Sequence, residues 1–159
     1  MRKVLMISTY VLMFLIANVL VSVFGPAITP FNALFLIAGD MVLRDRIQYE
    51  SGVVWSISAC VMAGIATIAI APGSEMIALA SALSVTLAGS ASALAFKLKS
   101  GGFFSKAIPA NITAAAVDSV AFPLIAFGSL MPGVTLAQFA AKTIGATFIL
   151  MIIKRYSKR

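Results

Sequence analysis

Apolar residues fill six runs of membrane-spanning length, separated by short stretches rich in glycine, proline, serine or charge. A bilayer core of about 30 Å is crossed by roughly 20 helical residues, so each run predicts one transmembrane helix. The predicted helices cover residues 4–24, 31–47, 53–71, 76–97, 107–130 and 134–153. Connecting stretches such as GPAITP at 25–30 and KSGGFFSK at 99–106 are typical of turns. The pattern predicts an all-α polytopic membrane protein, with residues 1–159 forming a single six-helix transmembrane domain.

Composition supports the membrane class and excludes several kinds of chemistry. The chain is 61% hydrophobic and only 11% charged, which a soluble domain of this size cannot accommodate because much of its surface must face water. It has no histidine and a single cysteine, Cys60, which excludes an internal disulfide and the usual zinc sites. No glycine-lysine loop that cradles phosphate is present. We therefore predict no enzymatic activity, no cofactor and no metal.

Basic residues indicate the topology. Eleven of the twelve lysines and arginines flank the predicted helices on one side, and the three loops on the other side contain none. The eleven are Arg2, Lys3, Arg44, Arg46, Lys97, Lys99, Lys106, Lys154, Arg155, Lys158 and Arg159. By the positive-inside rule, both termini of this multi-pass membrane protein are predicted to be cytoplasmic. Because the charges are spread over four membrane-flanking positions, they do not indicate a nucleic-acid partner.

The twelfth basic residue, Lys142, lies inside the sixth predicted helix. It is eight residues from Val134, about 12 Å below one membrane surface. Asp118 is eleven residues from Ala107, about 16 Å from the opposite surface, and Asp40 also falls near mid-depth. An unpaired charge there costs at least about 2.5–3.5 kcal/mol, so such residues pair or line a wet cavity. The sequence predicts a polar substrate pocket, with a purely structural Asp118–Lys142 ion pair as the alternative.

One face of the fifth predicted helix is polar and aromatic. Asn111, Asp118 and Phe122 share it at steps of seven and four residues. Pro123 cannot complete the helical ladder and frees the carbonyl of Ser119. Such a backbone group is tolerated in lipid only where it meets a partner or a cavity. The acid and the proline together predict a polar notch, although a simple bend at Pro123 remains an alternative.

Charges at the end of the second predicted helix allow two interpretations. Asp40 and Arg44 are one turn apart in a favourable order, and Arg44 and Asp45 are predicted at the cytoplasmic interface. Either these charges only mark the cytoplasmic side and make a local ion pair, or they form a cytoplasmic gate whose ion pairs break when the site opens. On the first helix, Asn18 either bonds a neighbouring helix or faces the pocket.

Four stretches resemble the VUT family, the queuosine-precursor transporters. They are ANVLV, FNALFLIAGDMVLRD, VDSVAFPLIAFG and the lysine that follows QFAA in the last helix. The resemblance implies a six-helix inner-membrane carrier that imports 7-cyano-7-deazaguanine or 7-aminomethyl-7-deazaguanine. The family's polar positions fall on Asn18, Asp40, Arg44, Asp118, Ser119 and Lys142. In the fourth helix, family members have a glutamine and an aspartate three residues apart, where this chain has Gly89 and Ser92.

A deazapurine substrate suits the residues of the predicted pocket. A guanine-like edge presents a ring N–H beside an exocyclic amine, and Asp118 can accept both. Asn18 or Asn111 would meet the carbonyl edge, Phe122 would stack on the flat ring, and Lys142 would keep an acid ionised or donate to the carbonyl. The predicted substrate-binding residues are Asp118, Asp40, Lys142, Asn18, Asn111, Ser119 and Phe122. The predicted gating or ion-pair residues are Arg44 and Asp45.

Other classes of protein remain as alternatives. The chain could be a substrate-binding membrane subunit that a separate partner energises, since it has no nucleotide motif. It could be a scaffold whose ion pair is structural. An intramembrane enzyme using Ser119 and Lys142 is the weakest alternative. The partners considered are the deazapurine, membrane lipid, and either a second copy of the chain or an energising subunit.

Overall fold

The computed structural model describes residues 2–70 and 75–156, and over these residues the chain is helical with no strand. The six helices are α1 (Arg2–Phe24), α2 (Pro26–Ser51), α3 (Val53–Ile70), α4 (Glu75–Leu98), α5 (Phe103–Phe127) and α6 (Pro132–Tyr156). Five are long and apolar enough to cross a membrane, and α3 is a shorter apolar helix. The all-α multi-pass prediction is confirmed. The predicted end of the third helix at 71, and Lys158 and Arg159, lie outside the described residues.

Helix α2 is longer and less regular than its predicted span of 31–47. It opens with a 3₁₀ turn, Pro26–Ile28, because a proline is tolerated where the N–H would have no partner anyway. A π segment, Ala33–Ile37, then precedes the regular stretch Ala38–Ser51. The helix ends at Gly52, whose φ of 92° a residue with a side chain rarely adopts. The polar residues 48–51, which follow the predicted end at 47, thus belong to the helix.

The other bounds differ from the predicted ones by a few residues. Helix α5 begins at Phe103 rather than 107, and it ends at Phe127 because Gly128 adopts the left-handed conformation with φ 69°. It contains Pro109 as well as Pro123. Helix α6 begins at Pro132, again a proline in a first turn, and continues to Tyr156.

Helix direction alternates, as two clusters of buried residues show. The first joins Val42, Phe96, Phe103 and Leu150. The second joins Val21, Ala80 and Phe122. The first cluster thus brings together the end of α4, the start of α5 and the end of α6, and we call this the basic end of the bundle. The second lies towards the opposite end, which we call the far end.

Glycines allow helices to approach closely at two positions. A Cβ added at Gly145 would lie 2.5 Å from the carbonyl oxygen of Leu34 and 2.7 Å from Cβ of Ala38, so α6 packs directly on the backbone of α2. A Cβ added at Gly64 would lie 2.5 Å from Cβ of Ala82, between α3 and α4. Such contacts stabilise membrane bundles, in which burial from water contributes little.

Candidate functional site

A buried ion pair joins α5 to α6 in the middle of the bundle. Nζ of Lys142 lies 2.7 Å from Oδ2 of Asp118, and the exposed fractions of the two side chains are 2% and 13%. Measured along each helix, Lys142 lies about 15 Å from the far end and Asp118 about 14 Å. The sequence-based expectation that these two residues meet agrees with this geometry.

Lys142 makes further bonds that extend the polar centre towards the far end. Its ammonium donates to Oγ of Ser119 at 3.3 Å and to Oε1 of Gln138 at 3.0 Å. The amide of Gln138 donates in turn to Oγ1 of Thr29 at 3.1 Å, and Thr29 donates to the carbonyl oxygen of Pro26 at 2.6 Å. Three donated bonds use the full capacity of the ammonium group, so Lys142 is fixed in position.

A cavity of about 40 Å³ lies beside this ion pair. It is lined by Phe14, Ala17, Asn18, Val21, Thr29, Asn32, Ile37, Ser81, Ser84, Val85, Asp118, Phe122, Gln138 and Lys142. A single water needs about 10–15 Å³ of such volume, so the cavity accommodates about three waters. Small-molecule sites typically measure about 300–1,000 Å³, so this conformation has no room for a bicyclic base.

Two further predicted residues line the cavity. Phe122 contributes its ring, which packs edge-on against Phe127 with centroids 5.8 Å apart. Asn18 contributes its amide, whose nitrogen donates to Oγ1 of Thr67 at 3.3 Å and whose oxygen accepts a bond from Ser81. Asn18 therefore joins α1 to α3 and α4 while it faces the cavity.

Asp40, Asn111 and Ser119 do not line the cavity, although they were predicted in the same pocket. Gly145 packs on Leu34 and Ala38, so Lys142, three residues earlier, lies level with about residue 34 of α2, and Asp40 lies about 9 Å nearer the basic end. The π segment Ala33–Ile37 contributes to the difference, because its wider turn rotates every later side chain relative to a continuous α-helix. Asn111 lies about 24 Å from the far end of α5.

Arg44 and Asp45 are buried inside the bundle, which corrects the expectation that they lie at the interface. They are 1% and 0% exposed, and Nη2 of Arg44 lies 3.5 Å from Oδ1 of Asp45. Ser92 bridges them, accepting from Arg44 at 3.2 Å and donating to Asp45 at 3.3 Å. Arg44 and Asp45, the predicted gating or ion-pair residues, do contact each other, whereas Asp40, one turn before Arg44, makes no ion pair with it among the described residues.

Several residues of the cavity were missing from the predicted site. They are Thr29, Asn32, Ser81, Ser84 and Gln138. Gln138 carried the clearest signal, because it lies one turn from Lys142 on the same helix face. Thr29 and Asn32 precede the predicted second helix or lie at its first residues. Both become candidates for the site only once α2 is known to begin at Pro26, because they then lie in its first two turns.

Comparison with known proteins does not assign a family. No family model matches the chain, and neither a curated protein nor a solved structure matches it. Over residues 2–70 and 75–156, no group of three His, Cys, Asp or Glu side chains is arranged to hold a metal ion. The comparisons therefore leave the function to be proposed.

Proposed function

We propose that this membrane protein is a carrier for a small planar solute that donates hydrogen bonds, of the class of 7-cyano-7-deazaguanine and 7-aminomethyl-7-deazaguanine. The observation that carries the proposal is a carboxylate, Asp118, paired with Lys142 beside a cavity in the middle of an apolar bundle. Charges at this depth are rare in membrane helices and mark solute or ion pathways. The resemblance to the VUT family supports this substrate class and an inner-membrane location.

The side chains around the cavity suit such a solute. A carboxylate accepts two adjacent N–H groups, and bonds of this charge-assisted kind are about twice as strong as neutral ones. Phe122 supplies an aromatic face for stacking on a flat ring. Asn18 and Gln138 offer amide donors for a carbonyl edge. These contacts together recognise a base with a donor edge and an acceptor edge.

Binding must widen the site, and the ion pair suggests how. In this conformation Lys142 occupies Oδ2 of Asp118 and so joins α6 to α5. The N–H groups of a base compete with the ammonium for that carboxylate. Exchange of one partner for the other weakens the link between the two helices at the moment of binding. Solute binding is thereby coupled to a change in helix packing, as alternating access requires.

Uptake of labelled 7-cyano-7-deazaguanine into cells that cannot make it tests this proposal. Asp118→Asn keeps the shape of the side chain and removes its charge. We expect a loss of about 10- to 150-fold in apparent affinity, which corresponds to one charge-assisted bond of about 1.5–3 kcal/mol. Glu50→Gln is the matched control, because Glu50 is an acid paired with Arg2 near the basic end, away from the cavity. Equal uptake by Asp118→Asn and wild type would refute the proposal.

Two further measurements separate the alternatives. Uptake by the purified chain in liposomes is expected if the protein acts as a carrier alone, and a requirement for a second chain would instead indicate a partner-energised subunit. Exchanging the charges, Asp118→Lys with Lys142→Asp, should restore full activity if the pair is only structural. We expect the exchanged variant to remain inactive, because the acceptor would then be on the wrong helix.

A further inference from the structure

A second group of polar residues lies in the basic-end half of the bundle, separate from the cavity. Arg44, Asp45 and Ser92 contact one another there, and Asp40 and Asn111 lie in the same half. Measured from the basic-end terminus of each helix, their distances range from about 9 Å for Ser92 to about 16 Å for Asp40. Each side chain is nine-tenths or more buried.

Many hydrogen-bonding atoms of this group have no partner among the described residues. They are Oδ1 of Asp40, Nε of Arg44, Oδ2 of Asp45, and both Oδ1 and Nδ2 of Asn111. A buried polar atom without a partner costs about 1–3 kcal/mol, and more when the group is charged. A group retained only for stability would be expected to satisfy these atoms, since apolar side chains would serve better.

Neighbouring contacts place Asn111 towards α2 and α4. Ala110, immediately before it, packs in the cluster that contains Ala38 and Val42 of α2. Ala114, one turn later, packs with Met41 of α2 in the cluster that also contains a residue of α4. The amide of Asn111 thus belongs to the side of α5 that faces the Asp40–Arg44 stretch.

The contact between Arg44 and Asp45 is loose for a buried ion pair. A strong arginine–carboxylate pair makes two parallel bonds of about 2.7–2.9 Å. Here one nitrogen lies 3.5 Å from one oxygen, and Ser92 supplies the remaining contacts. A cluster with one bridging hydroxyl and spare polar atoms can exchange its partners for water or solute at low cost.

We propose that Asp40, Arg44 and Asn111 form a second solute site, and that the Arg44–Asp45–Ser92 cluster closes it towards the basic end. This inference rests on the proposed carrier function and adds a second binding site to the solute's path through the bundle. The site offers a carboxylate acceptor, a guanidinium donor and an amide with one donor and one acceptor. It therefore takes a neutral or cationic solute that presents both donors and acceptors, and it releases that solute when the cluster opens.

The chain contains a natural reporter for this opening. Cys60 is its only cysteine and is 1% exposed, with Sγ accepting a bond from the hydroxyl of Tyr10. A Cβ added at Gly89 would lie 3.8 Å from Nη1 of Arg44 and 3.9 Å from Sγ of Cys60, so the thiol is close to the cluster. Opening the cluster to water should expose the thiol to small reagents from the basic end.

Alkylation of Cys60 in sealed membrane vesicles tests the opening. A small membrane-impermeant thiol reagent is applied to the basic-end side or to the far-end side, and labelling is followed by intact mass. We expect labelling from the basic-end side only. Ser92→Ala removes both bonds of the bridge and should accelerate labelling about 30-fold, the factor that corresponds to two hydrogen bonds of ~1 kcal/mol each. Ser90→Ala is the matched control, because Ser90 is exposed on the same helix. Equal rates for Ser92→Ala and wild type would overturn the inference.

Binding of 7-cyano-7-deazaguanine to the detergent-purified protein then separates the two sites. We expect the base to slow labelling of Cys60 in the wild type but not in Asn111→Leu, which still binds the base through Asp118. Protection that survives in Asn111→Leu would refute the second site and leave the cavity site intact. Failure of the wild type to bind any base would refute the proposed function itself, whatever the labelling rates.

Discussion

Replacing Lys142 by Met tests how much of the bundle's stability depends on the central ion pair. Met nearly keeps the length of the side chain and removes the ammonium that lies 2.7 Å from Asp118. Breaking a buried pair from one side costs about 3–5 kcal/mol, because the remaining charge stays desolvated. Asp118 is 13% exposed beside a cavity that accommodates water, so we expect the lower end of this range, about 3 kcal/mol.

Unfolding in mixed micelles with increasing SDS measures this loss. The fraction unfolded is followed by pulsed alkylation of Cys60, which is buried in the folded protein. Lys142→Arg keeps a cation and is the control for side-chain replacement as such. The double variant Asp118→Leu with Lys142→Met removes both charges and should regain most of the lost stability while remaining inactive in uptake. Wild-type stability of Lys142→Met, or a double variant no more stable than the single one, would refute the reasoning.

Two further changes test packing and hydrogen bonding elsewhere in the bundle. Gly145→Ala should lower the free energy of unfolding by about 1–3 kcal/mol, because the new methyl group meets backbone, whereas Gly133→Ala, with nothing within 4 Å, should not. Asn18→Ala should cost about 1–2 kcal/mol, and adding Thr67→Val should cost little more, because the two side chains share one bond. The same SDS titration checks both predictions, and additive costs for the second pair would contradict the shared bond.

The sequence predicted the central ion pair because α5 and α6 are continuous helices of 25 residues each. A constant rise per residue then converts a position in the chain into a depth in the membrane. Counting from approximate helix ends was enough to bring Asp118 and Lys142 to the same level. The six apolar runs were equally readable, since membrane-spanning length is a property of composition.

Helix α2 shows where such counting fails. Its start at Pro26 and the π segment Ala33–Ile37 depend on tertiary contacts, such as the bond from Asn32 to the carbonyl oxygen of Ala17. The pattern of apolar residues along the sequence does not predict these tertiary contacts. The same limitation placed Asp40 in the cavity, which it does not line.

The separation of the charges into two levels changes what a transport cycle requires. If all three mid-membrane charges enclosed one chamber, a solute would have to leave it across an apolar gap to reach the basic end. Lys142 and Asp40 instead lie about 9 Å apart along the bundle, between one and two helical turns, because Gly145 packs on Leu34 and Ala38. A base released by Asp118 therefore reaches the carboxylate of Asp40 without crossing a long apolar stretch. Exchange of hydrogen-bond partners, with Lys142 returning to Asp118 behind the solute, can close the first site while the second remains occupied.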